Sequence, residues 1–145
     1  MHGSLVLHLV KLAVGVKDIA HLREIQALRA ETDPPLRHRT RMMPKRAAEI
    51  TAGGSIYWVV SGFLQARQRI LEIREDAWDD GTACAGLVLD PMLVPVAARP
   101  MKPFQGWRYF APEAAPPDLA ALAAVHGAEA LPEALRQELR ALGLL

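Results

Sequence analysis

Cysteine is almost absent: Cys84 is the single one in 145 residues. No disulfide can form within the chain, and no zinc site can be built from several thiolates. A reducing compartment fits that usage. Aromatic residues make up only 6% of the chain, so any base-stacking site must draw on a handful of named side chains. Long apolar runs are missing as well. The first sixteen residues, MHGSLVLHLVKLAVGV, are interrupted by His8 and Lys11 and lack a basic leading segment, which argues against a signal peptide. No stretch reaches the roughly 18 apolar residues that a spanning helix needs. The expectation is a cytoplasmic protein with no membrane partner. The sequence also has no glycine-rich phosphate loop and no paired-carboxylate motif, and His8, His21, His38 and His126 show no metal-ligand spacing. No metal and no cofactor are expected.

An excess of one charge sign is lacking too. Seventeen Lys and Arg face sixteen Asp and Glu, a net charge of +1, and that total predicts no polyanionic partner. The distribution is uneven, however. Residues 36–74 carry eight basic groups against Glu49 and Glu72, residues 75–98 carry five acids and no base, and residues 99–110 carry three bases and no acid. Blocks of one sign build one-sided fields when the fold gathers them on one face.

With 51% hydrophobic and 23% charged residues, the chain has enough apolar surface for one core. LVLHLVKL (5–12) reads as a nearly buried first strand. Asp18 is a candidate N-cap for an amphipathic helix carrying Ile19, Leu22, Ile25 or Gln26, and Leu28 or Arg29, stopped by TDPP. LRHRTRM (36–42) alternates, which projects Arg37, Arg39 and Arg41 from one face. Pro44 suits the start of a short helix that ends at Gly53-Gly54. SIYWVV is the clearest strand. FLQARQRILEI reads as a further strand, with a bulge near Ile70 to explain why Leu71 and Ile73 switch parity. ACAGLVLD is another strand, the four prolines of PMLVPVAARPMKP allow only an edge strand or loop, and GWRYF forms a short strand. Two short Ala/Leu-rich helices finish the chain. Consecutive strands without crossover helices predict a mainly antiparallel α+β domain.

The runs LHLVKLAVGV, RHRTRMMPKRAAEI, GGSIYWVVSGFLQARQRIL, LVLDPMLVPV and PFQGWRYF resemble a family of small uncharacterised bacterial proteins, domain of unknown function 1489 (DUF1489). The resemblance covers roughly residues 5 to 118, and the family carries no established activity. GGSIYWVVSGFLQARQRILEI, an acidic loop and a strand ending in DPMLVPV are in turn similar to PUA-like domains, including the ASCH and EVE groups. Ser55 stands where that pattern has Asp after glycine. This second resemblance implies a mostly antiparallel β pseudo-barrel with peripheral helices over residues 1–117; the Ala/Leu-rich segment 118–145, outside the resemblance, is expected as a helical extension packed on the same domain. It also implies RNA or a modified nucleobase as partner, although a fold alone does not fix an activity.

Several residues suit such a partner. Guanidinium forks match phosphate oxygens two at a time, and Arg39, Arg41, Lys45, Arg46, Arg67, Arg69 and Arg108 are the candidate anion contacts if they converge, whereas pairing with nearby carboxylates would spend them as surface ion pairs. Trp58 and Trp107 are candidate stacking residues and Gln105 a base-reading amide beside Gly106; Tyr57 and Trp58 must point to opposite sides of one strand. His38 among arginines, with Glu49 as acid partner, is the weaker catalytic candidate. Cys84 reads as inert packing. The preferred expectation is non-catalytic binding of RNA or a modified nucleobase. The alternatives are a small enzyme acting on a phosphorylated or anionic metabolite, and an interaction module, possible as a homodimer, built on the C-terminal helices.

Overall fold

The computed structural model describes residues 6–126, Gln137 and Arg140, and over 123–126 the backbone alone. Its elements follow the chain as β1 (His8–Leu12), α1 (Ile19–Thr32), β2 (Arg37–Thr40), α2 (Ala47–Thr51), β3 (Ser55–Val60), β4 (Phe63–Ala77), β5 (Ala83–Leu89), β6 (Val94–Pro100), β7 (Trp107–Phe110) and α3 (Leu119–His126). The rest of the expected C-terminal helices lies outside the described residues.

The seven strands form one sheet in the order β2-β5-β4-β3-β1-β7, with β6 paired to β4. Every described pairing is antiparallel except that of β1 with β3, which α1, β2 and α2 separate in the chain. β4 organises the whole. Its first half pairs with β3 on one edge and β6 on the other; its second half pairs with β5. The register shifts between Ile70 and Glu72, and the extra residue, Leu71, is left exposed. A two-against-one insertion of this kind bends a strand and raises its twist, so the bulge expected from the parity switch is where β4 turns from one set of partners to the next. The β3–β4 hairpin closes through Ser61 (φ 50) and Gly62 (φ 83), the two left-handed residues that a tight hairpin turn needs.

The sheet does not close as a barrel, which corrects the pseudo-barrel expectation. β2 and β7 remain its two ends. β2 has only four residues, and the chain leaves the sheet at Arg41 before Pro44, which has no N–H to give to a ladder. Side chains span the gap instead: Trp107 Nε1–H donates to the Met42 carbonyl (3.1 Å), and the Arg46 N–H donates to the Tyr109 hydroxyl (3.2 Å).

Strand alternation sorts the core into two clusters. Leu9, Ile56, Trp58, Val60, Ile70 and Leu87 pack on one face beneath Ile19 and Leu22 of α1. Tyr57, Val59, Leu64, Val96 and Phe110 pack on the other. Tyr57 and Trp58 do point opposite ways, and both are buried. α1 is capped as the sequence suggests, with Asp18 Oδ1 accepting from the His21 N–H (2.8 Å). α2 is shorter than expected, five residues starting three after Pro44.

Candidate functional site

α1 lies on the sheet through one polar contact inside an apolar interface. Gln26 Nε2 donates to Gln68 Oε1 (2.9 Å), and Gln68 Nε2 donates back to Gln26 Oε1 (2.7 Å) and to the Asp90 carbonyl (2.9 Å). Trp58 Nε1–H donates to the same Gln68 Oε1 (3.1 Å). Gln68 thereby uses both donors and accepts twice at full burial, which removes the penalty of an unpaired interior amide and locks the indole in place.

Beside this network the fold leaves a hollow of about 160 Å³, bordered by Gln26, Trp58, His38, Lys11, Arg29 and Arg37 among apolar neighbours such as Leu22 and Leu89. Among the described residues no carboxylate borders it. A wider cleft of about 530 Å³ shares Arg29, Arg37 and His38 with it and adds Asp33, Arg39, Trp78 and Asp79. Arg37 is committed: its Nε bonds Asp76, and its Nη1 donates to the carbonyls of Asp33 and Pro35 (both 3.1 Å). Arg39 reaches Asp33 and Asp79, both at 3.0 Å. Lys11 and Arg29 form no ion pair with a described carboxylate. Burial holds the Lys11 ammonium below its ordinary pKa, because a half-buried cation without a counter-ion has lost part of its hydration and gained nothing in return.

His38 stands on the wall common to both spaces. Burial, with the Lys11 and Arg29 charges adding to it, pushes its pKa down to about 4, so the imidazole is neutral at pH 7. Its ring meets Trp58 edge to face, centroids 5.3 Å apart. Its Nε2 is buried with no hydrogen-bond partner among the described residues. A buried polar atom left unpaired is rare in folded proteins and calls for a reason.

The structure brings only part of the sequence-predicted set together. His38 borders both spaces, Trp58 the inner hollow and Arg39 the wider cleft. Arg41 lines a separate hollow with Met43, Glu75 and Cys84, and Arg67 lines a third with His8 and Asp118. Arg46 donates to Glu49 twice (2.7 and 2.6 Å), so Glu49 is bound to that arginine and does not partner His38. Arg67 likewise forks onto Asp118 (2.8 Å at each nitrogen). Lys45, Arg69 and Arg108 are exposed, Arg108 lying over the Phe104 ring at 4.5 Å. Gln105 is exposed, and Trp107 is half-buried against Tyr109 (4.9 Å) near the sheet's open edge. Burial pushes the Cys84 thiol up, consistent with packing. The residues that sequence reasoning missed are Lys11, Arg29, Gln68 and Trp78. A signal existed for two of them: Lys11 interrupts an apolar strand, and Gln68 shares the buried parity of Leu64, Ala66 and Ile70.

Fold and site together define a mixed α+β protein with an open, mostly antiparallel seven-stranded sheet and a cation-lined cleft under its first helix. The family model "Protein of unknown function (DUF1489)" matches residues 9–145, and the chain belongs to that family. The match runs past the quoted 5–118 stretch and takes in the C-terminal segment. No curated protein and no solved structure matches the chain, so the likeness to PUA-like domains rests on the sequence pattern alone.

Proposed function

We propose that the protein binds, without catalysing a reaction, a nucleobase carrying an anionic group: a modified nucleotide, free or at an exposed position in RNA. The observation that carries this reading is the pairing of an unbalanced charge with an aromatic wall. Lys11 and Arg29 have no described counter-ion, and they stand beside a neutral His38 and a Trp58 fixed by Gln68. The inner hollow holds roughly five waters' worth of volume at about 30 Å³ each, room for one heterocycle and not for a duplex. A base splayed into it lies against Trp58 and His38, a contact of about 1–3 kcal/mol for stacking geometries. Its phosphate meets Lys11, which regains a partner for the hydration that burial took away, and the exposed Arg29 beside it. Arg39 and the exposed Trp78 flank the wider mouth, where a neighbouring nucleotide of a strand would lie. The mixed signs there, Asp33 and Asp79 against Arg39, favour a single phosphate over a long polyanionic track.

The test is a tryptophan fluorescence titration with nucleoside monophosphates and with short single-stranded RNA, each at two salt concentrations. A saturable change is expected at low salt, with a shallow salt slope of about one to two contacts, roughly 0.7 per phosphate for single strands. No saturable change with any of these ligands at low salt overturns the reading.

A further inference from the structure

On the opposite face of the sheet a hollow of about 410 Å³ opens between β1, β3, β4 and the chain leading into α3. His8, Ser55, Tyr57 and Arg67 all point to that face, since His8 shares the parity of Val10, and Ser55 that of Tyr57. The hydrogen bonds already made decide what these side chains have left to offer. The Ser55 N–H donates to His8 Nδ1 (2.9 Å). Accepting there places the hydrogen of the neutral imidazole on Nε2, and burial and the Arg67 charge hold His8 below its ordinary pKa. Arg67 Nε and Nη2 donate to Asp118, and its Nη1 donates to Ser55 Oγ (3.0 Å). Because Ser55 Oγ accepts, its own hydrogen remains to be given. The Tyr57 hydroxyl has no hydrogen bond among the described residues, and it is not a buried orphan.

The inventory therefore leans towards donors. His8 Nε2–H, Ser55 Oγ–H, Tyr57 O–H and the second Nη hydrogens of Arg67 are donors, while each oxygen of Asp118 already accepts one bond from Arg67. The charge of Arg67 is balanced by Asp118, so the hollow is rich in donors and carries no net charge. Pro112, Pro116, Pro117 and Ala115 supply its apolar side. We propose that this hollow, independently of the cleft under α1, is a binding site for a monocarboxylate with a short apolar body. A carboxylate accepts up to about four hydrogen bonds on one charge, which matches the donors available. A phosphate dianion would bring two charges to a site whose described guanidinium, that of Arg67, is already neutralised, and an uncharged amide would offer a weaker acceptor.

The full chain, ¹⁵N-labelled, is titrated with butyrate, inorganic phosphate and butyramide at constant ionic strength and pH while the ring nitrogens of His8 are followed by NMR. A saturable His8 shift is expected with butyrate, at lower concentration than with either other probe. Tyr57→Phe removes one hydroxyl and keeps the ring that packs on Phe110 (5.3 Å), so the fold is retained. Losing one charge-assisted bond is expected to weaken butyrate about tenfold, while the shifts of the remaining histidines stay in place. Absence of a saturable His8 shift with butyrate, equal or tighter binding of phosphate or butyramide, or unchanged affinity in Tyr57→Phe each overturns the proposal.

Discussion

Gln26 on α1 and Gln68 on β4, 42 residues apart, exchange two hydrogen bonds in the protein interior, each amide giving to and accepting from the other. This reciprocal pair is the polar pin in an otherwise apolar helix–sheet contact. It sets the distance between α1 and Trp58, and with it the width of the cleft between them.

Truncating the pin has unequal consequences at its two ends. Gln68→Leu abandons three partners, the Gln26 amide, the Trp58 indole N–H and the Asp90 carbonyl, whereas Gln26→Leu abandons one. With each buried orphan costing about 1–3 kcal/mol, denaturant melts should show the Gln68 variant as the less stable by at least about 1 kcal/mol. The double variant should lose less than the two single losses combined, since neither amide is then left unpaired.

Gly54 is the second structural pivot. A Cβ there would collide with the carbonyl oxygens of Leu7 and Ile50, both backbone atoms that cannot swing away. Gly54→Ala is expected to cost about 3 kcal/mol, the upper range for overpacking. Gly15 has φ +78 and open space around it, so Gly15→Ala should cost only about 1–2 kcal/mol of left-handed strain. Thermal or urea unfolding of the two variants side by side checks the order.

His38 ties stability to pH. Its folded pKa of about 4 lies below the ordinary 6.5, so between those values the unfolded chain binds the proton that the folded chain refuses. Stability is then unaffected above pH 6.5, falls as pH drops from 6.5 to 4, and levels off below, with about 3 kcal/mol as the upper limit for a shift of this size. His8, also lowered, acts in the same direction. The expected outcome is a smaller loss of unfolding free energy between pH 7 and pH 5 in His38→Gln than in the parent. Equal losses would mean that His38 is not held neutral by its surroundings.

Local chemistry made much of the fold legible in the sequence. The Asp18 cap, the β-branched and aromatic run of β3, and the bulge after Ile70 all follow from a few adjacent residues, and each is where the pattern puts it. Closure of the sheet did not follow, because it depends on whether β2 and β7 meet, a matter of strand length and twist accumulated over the whole sheet. The site was harder still. The alternating arginines 37, 39 and 41 read as one cationic face, yet Arg37 reaches Asp76 and Arg39 reaches Asp79, forty residues or so along the chain; such pairings are set by the β2–β5 and β4–β5 registers. Lys11 and Arg29, which form no ion pair with a described carboxylate, are brought together by the packing of α1 on the sheet, and although Lys11 stands out in its apolar strand, the composition of neither segment shows that juxtaposition.

The indole N–H signals of Trp58 and Trp107 offer the most direct test of nucleotide binding under α1, because one borders the cleft and the other donates to Met42 near the sheet's open edge. On titrating ¹⁵N-labelled protein with a nucleoside monophosphate, the Trp58 signal should move to saturation and that of Trp107 should stay, and Lys11→Met should weaken the response about tenfold, as expected for one lost charge-assisted contact. A Trp58 signal that stays fixed throughout, or a response confined to Trp107, would contradict the assignment of this cleft.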